Sequence, residues 1–338
     1  MSADRVNLTL AEVAALSHKA LLASNISEPN ARSVTTSIVA AEAEGIHSHG
    51  LLRLPTYCEH AKCGKVNGRA EPGIRRSAAG ALLVDAQEGF AHPAIDAGLE
   101  RLIPLARENG IAALAVTNSY NCGVVGFHVE RIADRGLVAL GYVNSPAAIA
   151  PWGGKKPLFG TNPVAFAAPR KNAPPVVIDQ SSSVVARGEV MVHAQQGKPI
   201  PTGWALDKDG QPTNDPQAAL AGSMLPAGGH KGAGIALLVD IMAAGMTGAN
   251  FSFNAASFAD NNGGPPRTGQ FFIALDPSVF VGAAFSERLE TLFTAILNQP
   301  GTRLPGDKRN ANRARTARDG ISIKRALYDD IVRRTQGG

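Results

Sequence analysis

The sequence predicts a mixed α and β fold with a helical N-terminal quarter, and three observations carry that reading. Apolar residues recur at helical spacing up to about residue 44. From about residue 78 the texture changes to short runs rich in β-branched and apolar residues, with helical patterns between some of them. The last third returns to amphipathic helical stretches. No strand feeds a Gly-x-Gly-x-x-Gly turn and no Walker-type loop is present, so the usual dinucleotide-binding fold is not indicated.

The elements follow in order. "LTLAEVAALSHKALLASN" places Thr9 and Glu12 at the spacing of a capping box and continues as an apolar helical pattern. "SEPNARSVTTSIVAAEAEG" offers Ser27 as cap, Pro29 in the first turn, Ala31, Val34, Ile38 and Ala41 on one face, and a stop at Gly45. The strands are expected in "ALLVDA", "AALAVTN", "LVALGYVN", "PVAFAAP", "PVVIDQ" and, much later, "QFFIALD". Helices are expected in "PAIDAGLERLIPLAREN", "VGFHVERIADRG", "KGAGIALLVDIMAAGM", "SERLETLFTAILNQ" and "SIKRALYDDIVRRT". "KVNGRAEPG" and "ADNNGGPPRTG" read as connectors.

With 338 residues, 44% apolar and 18% charged, the chain has the composition of a soluble globular protein long enough for two domains. No run of about 18 apolar residues is present, so no membrane span is expected. "MSADRVNLTLAEV" lacks the basic and apolar regions of a signal peptide, which points to the cytoplasm. Cys58, Cys63 and Cys122 are too few for a disulfide framework and should be reduced thiols. The net charge of +5 is concentrated between Arg303 and Arg334, where ten Lys and Arg face four Asp. A solvated helix face, a phosphorylated small molecule or a nucleic acid could each account for such a run.

The stretch "GIHSHGLLRLPTY", from Gly45 to Tyr57, follows the second helix and admits several chemistries. A metal site would draw on His47, His49, Cys58, His60 and Cys63, but the paired-ligand spacing of zinc sites is met only loosely and no second pair exists, so no metal is expected. A nucleophilic Ser48 lacks a Gly-x-Ser-x-Gly elbow. The third reading sets a proton-donating histidine beside an arginine that clamps an anion. In "LPAGGHKGAGIALLVDIMA", glycines with His230 and Lys231 precede an apolar helix, a plausible phosphate cradle. "RLPGDKRNANR" adds Arg303, Lys308 and Arg309 in a turn apt for a second phosphate. Two such basic elements without a nucleic-acid motif favour a phosphorylated small molecule over nucleic acid.

Five blocks in order resemble the malate/L-lactate dehydrogenase family of the non-Rossmann kind: "HSHGLLRLPTY", "GTNPVAFAAP", "DQSSSVVARGEV", "IPTGWALDKDGQPTNDPQAALAG" and "LPAGGHKGAGIALLVDIMA". With the N-terminal helices and "RLPGDKR" the resemblance covers nearly the whole chain. It implies an α+β fold, with a helical subdomain at 1–75 joined by C-terminal helices at about 286–338, and a non-Rossmann, mixed-sheet NAD(P)H-binding domain at 76–285. It also implies a homodimer, and hydride transfer between NAD(P)H and a small 2-oxo acid or cyclic imine.

Carried over by position, the resemblance makes His49 the proton donor, with Ser48 as its relay partner. Arg53 and Thr161 match substrate-binding positions, and Arg187 with Gly188 a further substrate-contacting pair. Cofactor contacts fall on Asn121, Cys122, Gly123, Val124 and Val125; on Asp179, Gln180 and Ser181; on His230 and Lys231; and on Arg303, Leu304, Pro305, Gly306, Asp307, Lys308 and Arg309.

Two departures bear on substrate. Hydroxy-acid members commonly carry histidine where this chain has Asn121, and lysine where it has Glu189. A ketone under reduction develops negative charge on oxygen, which an ammonium stabilises and a carboxylate opposes. A protonated cyclic imine starts positive, so a carboxylate near it holds the iminium or recharges the proton donor. Glu189 is therefore expected to act with Ser48 and His49. The implied activity is NADPH-dependent reduction of 1-pyrroline-2-carboxylate or 1-piperideine-2-carboxylate to L-proline or L-pipecolate. NADH is the alternative cofactor, and a malate, lactate or ureidoglycolate type of dehydrogenase the alternative enzyme.

Overall fold

A computed structural model describes residues 4–336. Residues 1–3 and 337–338, the outermost ends of the expected helical subdomain, lie outside the described residues. The chain opens with β1 (Arg5–Leu8), α1 (Leu10–Leu22), α2 (Glu28–Ala43) and α3 (Leu54–Lys62). It continues through β2 (Gly73–Ala78), β3 (Ala81–Asp85), α4 (Ala91–Asn109), β4 (Ile111–Ser119), α5 (Val125–Ala133), β5 (Val138–Val143), β6 (Val164–Ala168) and β7 (Val176–Gln180). Next come α6 (Arg187–Gln196), β8 (Ala205–Leu206), β9 (Pro212–Thr213), α7 (Pro216–Ala221), β10 (Ser223–Met224) and α8 (His230–Asp240). The chain closes with β11 (Thr268–Leu275), α9 (Ser278–Val281), α10 (Ala284–Leu297), α11 (Asp307–Asp319), β12 (Ile321–Lys324) and α12 (Arg325–Arg334).

Seven strands form one mixed sheet in the order β2-β3-β4-β11-β5-β6-β7, in which β3 and β4 run parallel and every other pair antiparallel. Alternate residues of these strands, among them Val84, Leu114, Val116, Ala139, Ala167 and Phe272, share one buried face with Ile95, Leu99 and Leu102 of α4 and Val129 and Ile132 of α5. The period of two along each strand and the helical period of α4 and α5 thus meet in a single core. Behind the sheet, α8 runs on into one wider π-helical turn, Ile241–Gly245, packed against β11. Gly269 is required there, since a Cβ would stand 1.8 Å from the carbonyl oxygen of Ala243.

The N-terminal helices enclose a second core of Val13, Leu21, Val34, Ile38, Leu51, Leu54 and Tyr57, completed from the far end of the chain by Ile321, Ile323 and Ile331. Thr9 and Glu12 form the expected capping box, Thr9 Oγ1 accepting from the Glu12 amide and the Glu12 carboxylate from the Thr9 amide. "SIKRALYDDIVRRT" is not helical throughout. Ser322 to Lys324 belong to β12, which pairs antiparallel with β1 and alternates Ile321 and Ile323 inward, so tertiary pairing overrides the helical pattern there.

The resemblance groups α10 with these C-terminal elements, whereas its Leu289, Phe293 and Ile296 pack on Val176 and Leu304 beside the sheet edge. Arg170 clamps it there by donating to both oxygens of Glu290 at 3.0 and 2.7 Å. A small sheet, β10-β8-β9, has its own core of Ile149, Phe159, Val190, Ile200 and Met224. Its two-residue strands leave no alternation to read in the sequence. Among the described residues no helix is long and apolar enough to cross a membrane.

Much of the basic surplus near the C-terminus is spent on ion pairs. Arg313 of α11 donates to both oxygens of Glu130 and to the buried Glu44, and Arg334 joins Glu59 and Asp330. Burial pushes the Glu44 carboxyl up, and Arg313 opposes that shift. Arg313→Ala should therefore destabilise the fold by about 3 kcal/mol, because it strands a buried carboxylate. A urea titration that shows an unchanged midpoint would contradict this.

Candidate active site

Beyond the end of α2, Gly45 with a φ of +75° turns the chain into a single 3-10 turn, His47–His49, before α3 begins. The buried carboxylate of Glu42 shapes this turn. It accepts from the Leu51 amide at 2.7 Å and bonds His47 Nδ1 at 2.6 Å, and that bond raises the pKa of His47. His47 is thereby a structural residue. Ser48 Oγ lies 3.0 Å from His49 Nδ1, leaving Nε2 as the free nitrogen of the ring. Burial, followed by the charges of Arg53 and Arg309, pushes His49 down to about 4. The imidazole is neutral at pH 7 in the free protein.

Arg53 sits one turn further on, immediately before α3, and has neither a side-chain hydrogen bond nor a carboxylate within 4 Å among the described residues. An unpaired guanidinium beside a neutral histidine is a ready receptor for an anion, and its planar fork suits a carboxylate. His49 lines a cavity of about 70 Å³ together with Asn121, Cys122, Gly123, Val125 and Thr161. Asn121 Oδ1 accepts from Tyr57 Oη at 2.7 Å and from the Gly123 amide at 2.8 Å, which fixes the loop between β4 and α5. Thr161 is held by Ser145, whose hydroxyl accepts from the Thr161 amide at 3.1 Å. Burial pushes the Cys122 thiol up to about 12, so it stays protonated and is no nucleophile.

A second, larger cavity of about 660 Å³ gathers Asp179 and Gln180 from the end of β7 with Arg303, Leu304, Pro305, Gly306, Lys308 and Arg309. Asp179 Oδ2 accepts from the Gly126 amide at 2.8 Å and pairs with Arg309 at 3.2 Å, so the wall is stitched to the N-terminal turn of α5. Asp307 turns inward to accept from the Leu304 amide at 2.8 Å. Arg303 and Lys308 are exposed and have no ion-pair partner among the described residues. An elongated, phosphate-bearing molecule such as a nicotinamide dinucleotide fits these residues: free cations at one end, the glycine turn at Gly123 and the His49 cavity towards the other.

The remaining expected residues lie apart from the two cavities. Ser181 Oγ is 2.6 Å from Ser183 Oγ in the turn after β7, and the Ser182 carbonyl accepts from the Ala227 amide at 2.9 Å, tying that turn to the loop before α8. His230 and Lys231 begin α8 exposed, with the Trp152 ring edge-on to His230 at 6.0 Å. Val124 flanks α5 and is buried. Arg187, Gly188 and Glu189 form the first turn of α6. A Cβ on Gly188 would lie 3.9 Å from that of Ser48, so this turn faces the HSH segment. Arg187 donates to the Leu220 carbonyl at 3.1 Å. The Glu189 carboxylate is directed instead to His193, at 3.9 Å, and makes no direct bond to Ser48 or His49 in this state.

Sequence reasoning missed Asn144, Ser145, Phe258, Thr268 and Gln270, which line the His49 cavity. Gln270 carried a signal, being a fully buried polar residue at the head of the apolar run "QFFIAL". His92 and His128 went unnoticed as well. Both are buried behind the Asn121–Val125 loop, each with an unpaired Nδ1, and burial holds both well below the usual histidine value of 6.5. Since the folded state refuses these protons, the stability they contribute is complete above pH 6.5 and is lost as the pH falls below it. Unfolding free energy should drop by up to about 1.4 kcal/mol per histidine per pH unit in that acid range. Double replacement by glutamine should flatten the dependence measured by denaturant titration.

No group of three or more His, Cys, Asp or Glu side chains able to hold a metal is present among the described residues. A neutral histidine beside a free guanidinium, and a larger cavity rimmed by free cations against a non-Rossmann sheet, suit a dinucleotide-dependent oxidoreductase. The sequence model of the malate/L-lactate dehydrogenase family matches residues 8–332, and the chain belongs to that family of oxidoreductases. It is 47% identical over 325 residues to a (2R)-3-sulfolactate dehydrogenase (NADP(+)) of Chromohalobacter salexigens, covering 96% of each chain. It is 42% identical over 330 residues to a Delta(1)-pyrroline-2-carboxylate/Delta(1)-piperideine-2-carboxylate reductase of Pseudomonas aeruginosa, covering 97% of this chain and 98% of the relative. The crystal structure of delta1-piperideine-2-carboxylate reductase from Pseudomonas syringae pvar. tomato superposes with a TM-score of 0.92 at 38% identity, over 98% of this chain and 100% of that one.

Proposed function

We propose that the protein reduces a cyclic imino acid, 1-pyrroline-2-carboxylate or 1-piperideine-2-carboxylate, to the corresponding L-amino acid with NADPH. The carrying observation is His49 at a small cavity whose other polar side chains, Asn121, Asn144, Ser145, Thr161, Thr268 and Gln270, are uncharged, with the unpaired Arg53 near enough for its charge to depress His49. Such a site neutralises one carboxylate and leaves a ring to the remaining walls.

Arg53 and Thr161 grip the carboxylate. When bound, the cofactor supplies hydride to the imine carbon; the C=N pair moves to nitrogen, and His49 Nε2 delivers the proton there, completing the amine. The substrate carboxylate also cancels the Arg53 charge that holds His49 down. His49 therefore becomes easier to protonate in the complex. Because the acid form donates, activity declines as pH rises through its pKa. The limb in kcat, which reports the complex, should thus lie at higher pH than the limb in kcat/KM, which reports the free enzyme. Coincident limbs would remove this role.

Glu189 is assigned to recharging the donor, from the first turn of α6, where the neighbouring Gly188 faces Ser48. Glu189→Lys should lower imine reduction by about 10²-fold while sparing cofactor binding, read by steady-state kinetics and NADPH fluorescence. Arg303 and Lys308 are assigned to the extra phosphate of NADPH, so NADH should give the lower kcat/KM. The exposed Ile235, Leu238, Ile241 and Met246 of α8 and its extension, with the stacked Phe251 and Phe253, support a homodimer, testable by sedimentation. The cytoplasm remains the assigned compartment, and no nucleic-acid partner is invoked.

A second reading, a 2-hydroxy acid dehydrogenase, is favoured by the 47% identical sulfolactate dehydrogenase. Arg187, with only a carbonyl partner, would then meet a second anionic group. NADPH oxidation assayed with both cyclic imines, pyruvate, oxaloacetate and 3-sulfopyruvate separates the two. A sulfopyruvate rate far above the imine rates would replace the first reading by the second.

A further inference from the structure

Lys65 follows α3, and its side chain is entirely buried although the reaction makes no use of it. Its ammonium donates to the Asp260 carbonyl at 2.7 Å and to the Asn262 carbonyl, with the Asp260 carboxylate 3.9 Å away. An ammonium removed from water is strongly unfavourable unless its donors are met. Here one short loop meets them.

That loop has little else to order it. Between Asn254 and Gln270 the only large apolar side chain is Phe258. Phe258 lines the cavity that holds His49 and Thr161, and its ring stands edge-on to Tyr120 at 5.2 Å. Tyr120 Oη is 2.6 Å from His60 Nδ1, and the His60 carbonyl accepts from the amide of Val66, the residue after Lys65. The segment His60–Val66 thus holds the wall twice, through the aromatic contact and through the lysine clamp.

We propose that Phe258 sets the size of substrate that the cavity admits, favouring the five-membered ring, and that Lys65 is the positioning residue that holds it there. This rests on the cyclic imino acid reading. In a cavity of about 70 Å³ one added methylene is a large demand, and a wall clamped by Lys65 and packed on Tyr120 opposes it. A single methylene typically changes kcat/KM by about 10- to 200-fold.

The test is the ratio of kcat/KM for 1-piperideine-2-carboxylate to that for 1-pyrroline-2-carboxylate. Phe258→Ala should raise it about tenfold or more, with Phe258→Leu intermediate. Lys65→Met should move it in the same direction and make the 259–264 loop more sensitive to limited proteolysis. The double variant should go no further than Phe258→Ala, since both act through one ring. A merely structural lysine would lower both rates together and leave the ratio unchanged, and that result overturns the positioning role. If Lys65→Met fails to fold, Lys65→Gln, which keeps a donor, carries the same comparison. An unchanged ratio in Phe258→Ala overturns the proposal. Should the wild type reduce 2-oxo acids and neither imine, the imine reading fails separately. Pyruvate and 2-oxobutyrate, again one methylene apart, then carry the same comparison, with an unchanged ratio again decisive against it.

Discussion

Replacing His49 by alanine is expected to lower kcat by about 10²- to 10⁴-fold, with a small change in KM. The size follows from the loss of the proton donor, because among the described residues no other ionisable side chain lines the cavity except the Cys122 thiol, which burial pushes up to about 12. The fold should tolerate the change, since among the described residues the one side-chain hydrogen bond of His49 is to the exposed Ser48. Thermal stability should accordingly be near that of the wild type. Ser48→Ala should cost less, about tenfold, because it loosens the ring without removing the acid. An alanine variant that keeps imine reduction at neutral pH would show that the proton comes from solvent or arrives with the substrate.

Arg53→Ala should raise KM by about 10²- to 10³-fold and lower kcat less. A charge-assisted pair between guanidinium and carboxylate, once one partner is removed, costs about 2–5 kcal/mol, and every 1.4 kcal/mol is tenfold. Arg53 has no internal partner to lose among the described residues, so the penalty falls on binding rather than on stability. Arg53→Lys should recover only part, because an ammonium cannot make the two parallel bonds of the fork. Arg53→Ala should also raise the pKa of His49 in the free protein, since Arg53 is one of the charges depressing it. NMR titration of the His49 ring reads that shift directly. An unchanged KM with a collapsed kcat would place Arg53 at the reacting atoms instead of at the carboxylate.

Much of the fold was legible because its elements follow local rules. The capping box at Thr9, the apolar stripe of α2 and the six expected strands all appear where period and flanking residues place them. The misreadings occur where a distant partner decides. Ser322 to Lys324 become a strand because β1, more than 300 residues away, offers a free edge. The turn expected in "RLPGDKRNANR" gives way from Asp307 onward to α11, whose sequence has almost no apolar face; its place comes from Arg313 and Arg309 reaching Glu44, Glu130 and Asp179.

The family, most of the sheet's strands and the side chains with the chemistry for proton donation and anion binding, His49, Arg53, Arg303 and Lys308, can be read from residue type and order. Which of them meet, and in what state, depends on the folded arrangement. It made His47 a strut on Glu42 and His49 a neutral imidazole, although both lie in one tripeptide. It also turned Glu189 towards His193 and brought Phe258, 209 residues beyond His49, into the same cavity. The reason is physical: residue chemistry is written locally, whereas desolvation, charge proximity and cavity walls are properties of neighbours that the chain supplies from far away.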